Sequence, residues 1–193
     1  MERKHRIIPV VVLHDEQETH EKLSALLEGG IKVAEITFRT PFAEQAIKIA
    51  LKEFPEMDIG AGTVINIDQA CKAINAGVKF IVSPGFSAKI AEICQKNDIE
   101  YFPGCVTPTE IMEALEYNIK VIKFFPGNVY GGLKAIEALS GPFPQVTFLP
   151  TGGVNENNID EYLSSDKIYA VGGSFMMKGD IVKNCQNLKK WLI

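Results

Sequence analysis

The apolar residues of this chain form short runs that alternate with longer segments of helical periodicity. Runs of about four to eight apolar and β-branched residues predict buried strands, whereas apolar positions three and four residues apart predict amphipathic helices. Both patterns recur along the whole chain. The runs predicted as strands are Ile7 to Leu13, Val33 to Phe38, Ile59 to Val64, Phe80 to Pro84, Tyr101 to Cys105, Val121 to Phe125, Val146 to Pro150 and Ile168 to Gly172.

The predicted helices lie between these strands, and several have recognisable ends. Glu16 to Leu27 and Glu44 to Phe54 carry apolar side chains at helical spacing. Asn66 occupies an expected helix start, and Thr107-Pro108-Thr109-Glu110 has the pattern of an amino-terminal turn that contains an acid. Gly77 is typical of the residue that follows a helix.

Eight strand–helix units predict a parallel sheet, and that number of units permits closure into a barrel. At 193 residues the chain is slightly short for such a barrel, whose usual lower limit is about 200 residues. The alternative is an open doubly wound sheet, but no G-x-G-x-x-G follows the first strand. Because no segment resembles a linker, residues 1–193 are predicted to form a single (β/α)8 TIM-barrel domain.

Composition and charge argue against several classes of protein. Hydrophobic residues make up 46% of the chain and charged residues 23%, as in ordinary globular proteins. The net charge of -4 includes no basic block, so nucleic-acid binding is not expected. No run of about 18 apolar residues predicts a membrane span, and the amino terminus is interpreted as a first strand instead of a signal peptide. We therefore expect a cytoplasmic protein that does not associate with membranes.

The cysteines and histidines do not indicate a metal site. Cys71, Cys94, Cys105 and Cys185 are scattered without C-x-x-C spacing, which predicts reduced thiols instead of a disulfide framework or a zinc site. The three histidines do not cluster with carboxylates along the chain. Asn155, Asn157 and Asn158 are interpreted as a helix-start and turn cluster and not as ligands. We expect no metal and no cofactor.

A lysine interrupts the apolar run that forms the sixth predicted strand. Lys123 lies within Val121 to Phe125, and Pro126-Gly127 closes the run. Burial disfavours the protonated form of a lysine, and a neutral amine attacks carbonyl carbons to form a Schiff base. The alternative is that Lys123 extends to solvent from an edge strand or pairs with a carboxylate for structural reasons alone.

Polar residues near the ends of other predicted strands point to the same place, because barrel active sites lie at the carboxyl ends of the strands. Alternation places Glu35, Thr37 and Arg39 on one face of the second strand, with Arg39 at the mouth. Glu35 and Lys123 would then face one interior, either as a reactive pair or as an inert internal ion pair. Further candidate binding residues at strand ends are Thr63, Pro84 and Phe125.

Glycine pairs follow the last two predicted strands. Thr151-Gly152-Gly153 ends the seventh and Gly172-Gly173-Ser174 ends the eighth. Barrels commonly bind phosphate at these two positions through free backbone N–H groups. The alternative is that both are simply tight turns between a strand and a helix. Two such pairs, together with Arg39, favour a site for a ligand that carries a phosphate and a carboxylate.

With these motifs in place, the chain resembles the 2-keto-3-deoxy-6-phosphogluconate aldolases, or KDPG/KHG aldolases, over nearly its whole length. The resemblance implies a (β/α)8 barrel that assembles as a homotrimer and uses no metal. The matching segments are Ile8-Pro9-Val10-Val11, Glu35-x-Thr37-x-Arg39-Thr40, Gly60-Ala61-Gly62-Thr63-Val64, Ser83-Pro84-Gly85, Pro103-Gly104, Thr107-Pro108-Thr109-Glu110, Lys123-Phe124-Phe125-Pro126, Pro150-Thr151-Gly152-Gly153-Val154 and Gly172-Gly173-Ser174.

The resemblance also implies a role for individual residues. By the family pattern, Lys123 forms the Schiff base and Glu35 is the general acid and base. Arg39 and Thr63 hold the carboxylate of pyruvate. The residues implied to hold phosphate are Gly152, Gly153 and Ser174. The implied substrate is a phosphorylated 2-keto-3-deoxy sugar acid, which is cleaved to pyruvate and glyceraldehyde 3-phosphate, and 4-hydroxy-2-oxoglutarate is a possible second substrate.

The chain departs from the family pattern at a few positions. Many members have Ala-Glu where this chain has Gly127-Asn128, and leucine is common where it has Phe38. These departures leave the preference on the aldehyde side of the substrate open. Two other functions also remain: a phosphate-binding barrel isomerase or synthase in which Lys123 acts only electrostatically, and a non-catalytic sugar-phosphate-binding barrel.

Overall fold

A computed structural model describes residues 5–192, in which strands and helices alternate. The strands are β1 (Ile7–Val11), β2 (Val33–Thr37), β3 (Asp58–Gly62), β4 (Phe80–Val82), β5 (Glu100–Phe102), β6 (Val121–Phe124), β7 (Thr147–Pro150) and β8 (Val171–Gly173). The helices are α1 (Glu16–Glu28), α2 (Ala43–Glu53), α3 (Ile67–Ala76), α4 (Ala88–Lys96), α5 (Pro108–Glu116), α6 (Gly132–Ser140), α7 (Ile159–Ser164) and α8 (Ile181–Gln186). Short 3-10 turns span Phe175–Met177 and Lys189–Trp191.

Each predicted strand overlaps one strand of the structure, but most of the predicted runs are too long. β1 ends at Val11 instead of Leu13, and β4 covers only Phe80–Val82. β8 begins at Val171, because Ile168 makes only a single bridge, to Phe148. The apolar runs therefore continue past the ladders into the loops at the strand ends, where some residues, such as Leu13, Ser83 and Cys105, are still buried.

The local helix signals are confirmed by side-chain contacts. The Asn66 side chain accepts the N–H of Gln69 at 2.9 Å. Thr107 and Glu110 form a reciprocal capping box in which Thr107 N–H donates to Glu110 Oε2 at 2.9 Å. Gly77 follows α3 with φ of 99°, a left-handed conformation that glycine adopts without steric cost.

The strands form an α/β fold with a curled parallel sheet. Six strands are paired in the order β5-β4-β3-β2-β1-β8, and β6 pairs with β7 in a second, two-stranded sheet. Every paired neighbour is parallel. Single parallel bridges link the two sheets: Gly104 to Lys123, Phe148 to Ile168 and Thr151 to Gly172. The predicted α/β class and parallel strands are confirmed.

The core lies between the sheet and the surrounding helices. Ile36, Ile59 and Ile81 on the strands are fully buried, as are Leu23 and Leu26 on α1. Burial of each such side chain contributes about 1.5–3 kcal/mol. None of the helices in the described part of the chain is both long and apolar enough to cross a bilayer.

Buried polar side chains mostly bond to the main chain. Thr37 Oγ1 donates to the carbonyl of Val11 at 3.1 Å, and Ser83 Oγ donates to the carbonyl of Val64 at 2.6 Å. These bonds tie the ends of adjacent strands together. Three other buried polar residues have no such bond to the main chain: Glu35, Lys123 and Thr151.

The cysteines provide a test of this packing. Burial raises the pKa of Cys94 and Cys105 to about 12 and that of Cys185 to about 11. Only Cys71 is partly exposed. Since the thiolate is the reactive form, we expect Ellman's reagent at pH 8 to modify one thiol rapidly in the native protein and all four in urea. Cys71→Ser should abolish the rapid phase, and rapid reaction of two or more native thiols would contradict the packing.

Candidate active site

A lysine and a glutamate face each other inside the sheet. Lys123 Nζ on β6 lies 3.4 Å from Glu35 Oε1 on β2, and the two side chains are 4% and 0% exposed. Within residues 5–192, Glu35 Oε2 has no hydrogen-bond partner. An unsatisfied buried acceptor costs about 1–3 kcal/mol, so it calls for an explanation. The geometry leaves that oxygen available to accept a proton from a bound molecule.

Small residues on β3 make the space that Glu35 fills. β2 and β3 pair with Glu35 opposite Gly60 and Thr37 opposite Gly62. A Cβ on Gly62 would overlap the carboxyl group of Glu35, and one on Gly60 would overlap the ring of Phe80. Glycine is therefore required at both positions for steric reasons, and the Gly62 requirement is set directly by the glutamate.

Main-chain hydrogen bonds to the segment after β5 fix the backbone of Lys123 on one edge of β6. Its N–H donates to the carbonyl of Pro103 at 2.8 Å, and its carbonyl accepts the N–H of Cys105 at 3.0 Å. On the other edge of β6, Lys123 is paired with Leu149 of β7. Its Nζ lies 5.4 Å from the centroid of the Phe125 ring. The amine of Lys123 thus lies between the carboxyl group of Glu35 on β2 and the ring of Phe125, which lines the mouth.

Arg39 and Thr63 form a second pair at the strand ends. Arg39 Nε donates to Thr63 Oγ1 at 3.1 Å. The prediction that Arg39 lies on the strand is wrong, because β2 ends at Thr37 and Arg39 occupies the following turn, where it is exposed. Thr63 has φ of 55°, a left-handed conformation that costs a non-glycine residue about 1–2 kcal/mol. Strain of this kind is concentrated at functional sites.

The glycine turn after β7 presents a backbone N–H without a partner. The carbonyl of Thr151 accepts the N–H of Gly127 at 2.8 Å, and that of Gly152 accepts the N–H of Asn128 at 3.2 Å. In a planar trans peptide, the N–H points opposite to the preceding carbonyl. The N–H groups of Gly152 and Gly153 therefore point away from the 127–128 loop. The parallel bridge between Thr151 and Gly172 directs the N–H of Gly152 toward the carbonyl of Gly172, whereas that of Gly153 forms no hydrogen bond among residues 5–192.

Two asparagines hold the next peptide of this turn. The carbonyl of Gly153 accepts from Asn155 Nδ2 at 3.2 Å and from Asn158 Nδ2 at 2.9 Å. Gly152 and Gly153 have φ of 90° and 82°, which favours glycine at both positions. Successive backbone N–H groups in such a turn form a concavity that binds anions. The asparagine cluster, expected only to start a helix, also orients the turn.

A cavity of about 290 Å³ connects most of the predicted binding residues. Val10, Asn155, Phe175 and Lys178 complete much of its lining, and none of them is among the predicted site residues. No local pattern in the sequence marks Lys178, whereas the asparagine turn was visible but assigned only a structural role. The predicted residues in the lining are Arg39, Phe125, Thr151, Gly152, Gly153, Gly173 and Ser174.

Pro84 lies outside this cavity, whereas Thr151 lines it and has a buried hydroxyl without a partner in the described chain. Pro84 lines a separate cavity of about 230 Å³ with Val64 and Ser83. Thr151 Oγ1 is buried and has no hydrogen-bond partner in the described chain. A Cβ on Gly172 would overlap that hydroxyl, so the bridge between Thr151 and Gly172 depends on glycine. The hydroxyl is a further unused polar group at the end of β7.

Other features of the chain do not coincide with this site. A larger cavity, of about 570 Å³, is lined by residues near the amino ends of β5, β6 and β7, including Tyr101, Lys120 and Thr147. It contains none of the predicted site residues. Across residues 5–192, no group of three or more His, Cys, Asp or Glu is placed to hold a metal ion.

Comparison with known proteins identifies related sequences and structures. A family model described as KDPG and KHG aldolase matches residues 1–190. The 2-dehydro-3-deoxy-phosphogluconate aldolase of Treponema pallidum is 41% identical over 89% of this chain and 82% of that protein. The KHG/KDPG aldolase of Escherichia coli K12 is 37% identical over 92% of this chain and 83% of that protein.

Solved structures of such aldolases have the same fold as this chain. The KDPG aldolase of Legionella pneumophila, solved with pyruvate captured as a covalent carbinolamine intermediate, is 37% identical and superposes with a TM-score of 0.89 over 98% of this chain and 93% of that chain. The 2-keto-3-deoxy-6-phospho-gluconate aldolase of Zymomonas mobilis is 34% identical, with a TM-score of 0.92 over 98% and 94%.

The contact between Gly62 and Glu35 can be tested by stability measurements. We expect Gly62→Ala to lower the free energy of unfolding by about 1–3 kcal/mol, because the added methyl group overlaps the buried carboxyl group. Gly85→Ala is the matched control, since a Cβ there meets nothing within 4 Å. All three nearest neighbours of the Gly62 methyl belong to Glu35, so the loss should shrink in a Glu35→Ala background. Equal losses in both backgrounds, measured by urea denaturation, would refute the contact.

Proposed function

Because the chain belongs to the KDPG and KHG aldolase family, we propose that Lys123 and Glu35 catalyse the reversible cleavage of 2-dehydro-3-deoxy-6-phosphogluconate to pyruvate and D-glyceraldehyde 3-phosphate. The protein is a carbon–carbon lyase that acts through a lysine Schiff base. Cleavage of 4-hydroxy-2-oxoglutarate to pyruvate and glyoxylate agrees with the KHG name of its relatives. The observation that carries the residue assignment is the buried pair of Lys123 and Glu35.

The first chemical step forms a bond between Lys123 and the substrate. Neutral Lys123 Nζ attacks the C2 ketone and gives a carbinolamine, the class of intermediate captured in the Legionella enzyme. The ketone oxygen, once protonated, leaves as water, and an iminium ion remains. The positive iminium nitrogen then withdraws electrons from the bond between C3 and C4.

Glu35 supplies the proton transfers. Its unpartnered Oε2 removes the proton of the C4 hydroxyl group, directly or through one water molecule. The bond between C3 and C4 breaks, its electrons move into an enamine of pyruvate, and the aldehyde leaves. Protonation of the enamine at C3 and hydrolysis of the imine release pyruvate and restore the free amine.

The residues at the mouth orient the substrate for these steps. Arg39 and Thr63, joined by their hydrogen bond, hold the carboxylate next to the keto carbon. The free N–H of Gly153 holds the phosphate, together with the glycine turns at Gly152 and Gly173 and with Ser174. Thr151 and Phe125 line the space between these two anion sites. Pro84 is assigned to the wall beside Val64.

We also infer the architecture around the site. The three single bridges between the two sheets support closure of the eight strands into one (β/α)8 barrel that forms a single domain over residues 1–193. Ile65 and Val129 are 63% and 71% exposed, and apolar side chains exposed in this way support assembly as a homotrimer. The metabolite-sized substrates are consistent with a cytoplasmic location.

The division of work between Lys123 and Glu35 predicts two different failures. Glu35→Gln keeps the shape but removes the base, so turnover should fall by about 10²- to 10⁴-fold while pyruvate still forms the Schiff base. Lys123→Ala should form no adduct. The measurement is intact-protein mass spectrometry after treatment with pyruvate and borohydride, followed by peptide mapping.

Lys120, at the amino end of the same strand, provides the matched control, because Lys120→Ala should keep both the adduct and the turnover. An adduct that maps to Lys120 would place the active site at the wrong end of β6. Absence of any adduct in the wild type would favour the isomerase or the non-catalytic binding protein.

The phosphate assignment predicts an effect that depends on the substrate. Gly152→Val forces a branched side chain into a left-handed turn, so the efficiency on the phosphorylated substrate should fall by at least about 10-fold. The efficiency on 4-hydroxy-2-oxoglutarate, which has no phosphate, should change by less than about twofold. We would measure kcat/KM for both substrates. A wild-type enzyme that does not distinguish phosphorylated from unphosphorylated 2-keto-3-deoxygluconate would refute the assignment.

A further inference from the structure

The mouth cavity contains a second cation besides Arg39. Lys178 lines the same 290 Å³ space as Gly152, Gly153 and Ser174. No aspartate or glutamate contributes to the lining. Two cationic residues and the unbonded N–H of Gly153 therefore border one space that no carboxylate lines. Such a space attracts an anion.

Lys178 forms no ion pair with any carboxylate of residues 5–192. Several lysines of the described chain pair with an acid four residues before them, as Lys72 does with Asp68 at 2.8 Å. Among residues 5–192, no carboxylate forms such a pair with Lys178. Asp180, two residues further on, caps α8 through Oδ1, which accepts the N–H of Lys183 at 3.0 Å, and it forms no ion pair with Lys178.

The backbone that carries Lys178 is fastened to α8. Asn184 Nδ2 donates to the carbonyl of Lys178 at 2.7 Å and to the carbonyl of Met176 at 3.2 Å. Met176 belongs to the 3-10 turn Phe175–Met177, which begins directly after Ser174, and Lys178 follows that turn. One side chain therefore fixes both ends of the segment that carries the cation, although Lys178 itself is exposed.

We propose that Lys178 is a specificity-determining residue that binds the phosphate of the substrate, and that Asn184 is the residue that positions it. The proposal rests on the proposed aldolase function. Arg39 is hydrogen-bonded to Thr63 at the carboxylate end of the site, so Lys178 is the cation that remains for the phosphate. A phosphate monoester carries about −1.5 to −2 charges at pH 7, and backbone N–H groups contribute only partial charges.

Lys178→Met tests the assignment, and Lys183→Met is the matched control from an exposed lysine of α8 that does not line the cavity. We expect Lys178→Met to lower kcat/KM for the phosphorylated substrate by about 10- to 100-fold, the range of one charge-assisted hydrogen bond. The efficiency on 4-hydroxy-2-oxoglutarate should stay within about twofold. Lys178→Arg, which keeps the charge, should recover most of the loss.

Asn184 is tested by its dependence on Lys178. Asn184→Ala frees the two carbonyls and should selectively reduce kcat/KM for the phosphorylated substrate. If it acts through Lys178, the double variant Lys178→Met/Asn184→Ala should be no worse than Lys178→Met alone on that substrate. Fully additive losses would show that Asn184 supports the fold without positioning Lys178.

Binding of inorganic phosphate separates this inference from the aldolase assignment. We would titrate phosphate into the ¹⁵N-labelled protein and follow the amide signals of Gly152, Gly153 and Ser174. Lys178→Met should raise the Kd by about 10-fold or more, and Lys183→Met should leave it unchanged. If the wild type does not cleave the sugar acid, the proposed function is refuted. Weaker phosphate binding by Lys178→Met than by that wild type would still support the inference. Equal behaviour of the two lysine variants in both assays would overturn the inference.

Discussion

The burial of Lys123 beside Glu35 is the constraint on which the rest of this structure depends. The two residues are 88 positions apart in the chain, yet Nζ and Oε1 are separated by 3.4 Å. Either group alone in an apolar interior would cost several kcal/mol, because its hydration is lost and nothing replaces it. β2 and β6 therefore have to be held in fixed relation by the strands between them. A displacement of either strand would leave a buried polar group without its partner.

Glycines in the strands and at their ends make this arrangement possible. Gly62 leaves room for Glu35, Gly172 for the hydroxyl of Thr151, and Gly104 for the carbonyl of Pro84. A glycine in a strand interior is less favourable than alanine by roughly 0.5–1 kcal/mol. The chain accepts this cost where a Cβ would occupy the space of a polar group. The interior thus combines close packing with the few gaps that the site requires.

The parts of the structure that the sequence predicted are those determined by local patterns. Apolar periodicity located every strand, and Asn66 and Thr107 mark helix starts because capping depends on residues within one turn. Lys123 and Glu35 were predicted to share an interior, because a charge within an apolar run has few other places to go. The strand limits were less predictable, since burial continues beyond the last ladder pair in several strands. Arg39, predicted by alternation to share a face with Glu35 and Thr37, lies in the turn after β2.

Residues whose position depends on distant contacts escaped prediction. Lys178 has no periodic or motif signal, and it reaches the mouth because Asn184 on another element fixes its backbone. The asparagine turn was recognised, but its hydrogen bonds to Gly153 depend on how the turn folds back on itself. The extent of pairing between the two sheets could not be predicted from the sequence either. Strand–helix alternation predicts parallel strands but not how many hydrogen bonds join each pair of neighbours.

The site is divided into two environments that do different work. Lys123 and Glu35 lie in the buried interior, whereas the glycine turns and Lys178 lie at an open mouth that an anion can reach from water. In the proposed mechanism, the phosphate binds far from the bond that breaks, and its binding energy serves to bring the keto carbon against Lys123 Nζ.

The same division explains how substrate preference can change while the chemistry is kept. Asn128 lies against Gly153, and its N–H holds the carbonyl of Gly152. A carboxylate at this position would add a negative charge beside the turn whose N–H groups face the anion. The neutral amide of this chain avoids that repulsion, and the change lies outside the buried pair. Under the proposed assignments, residues at the mouth tune which anion is accepted, while Lys123 and Glu35 act on the carbonyl group.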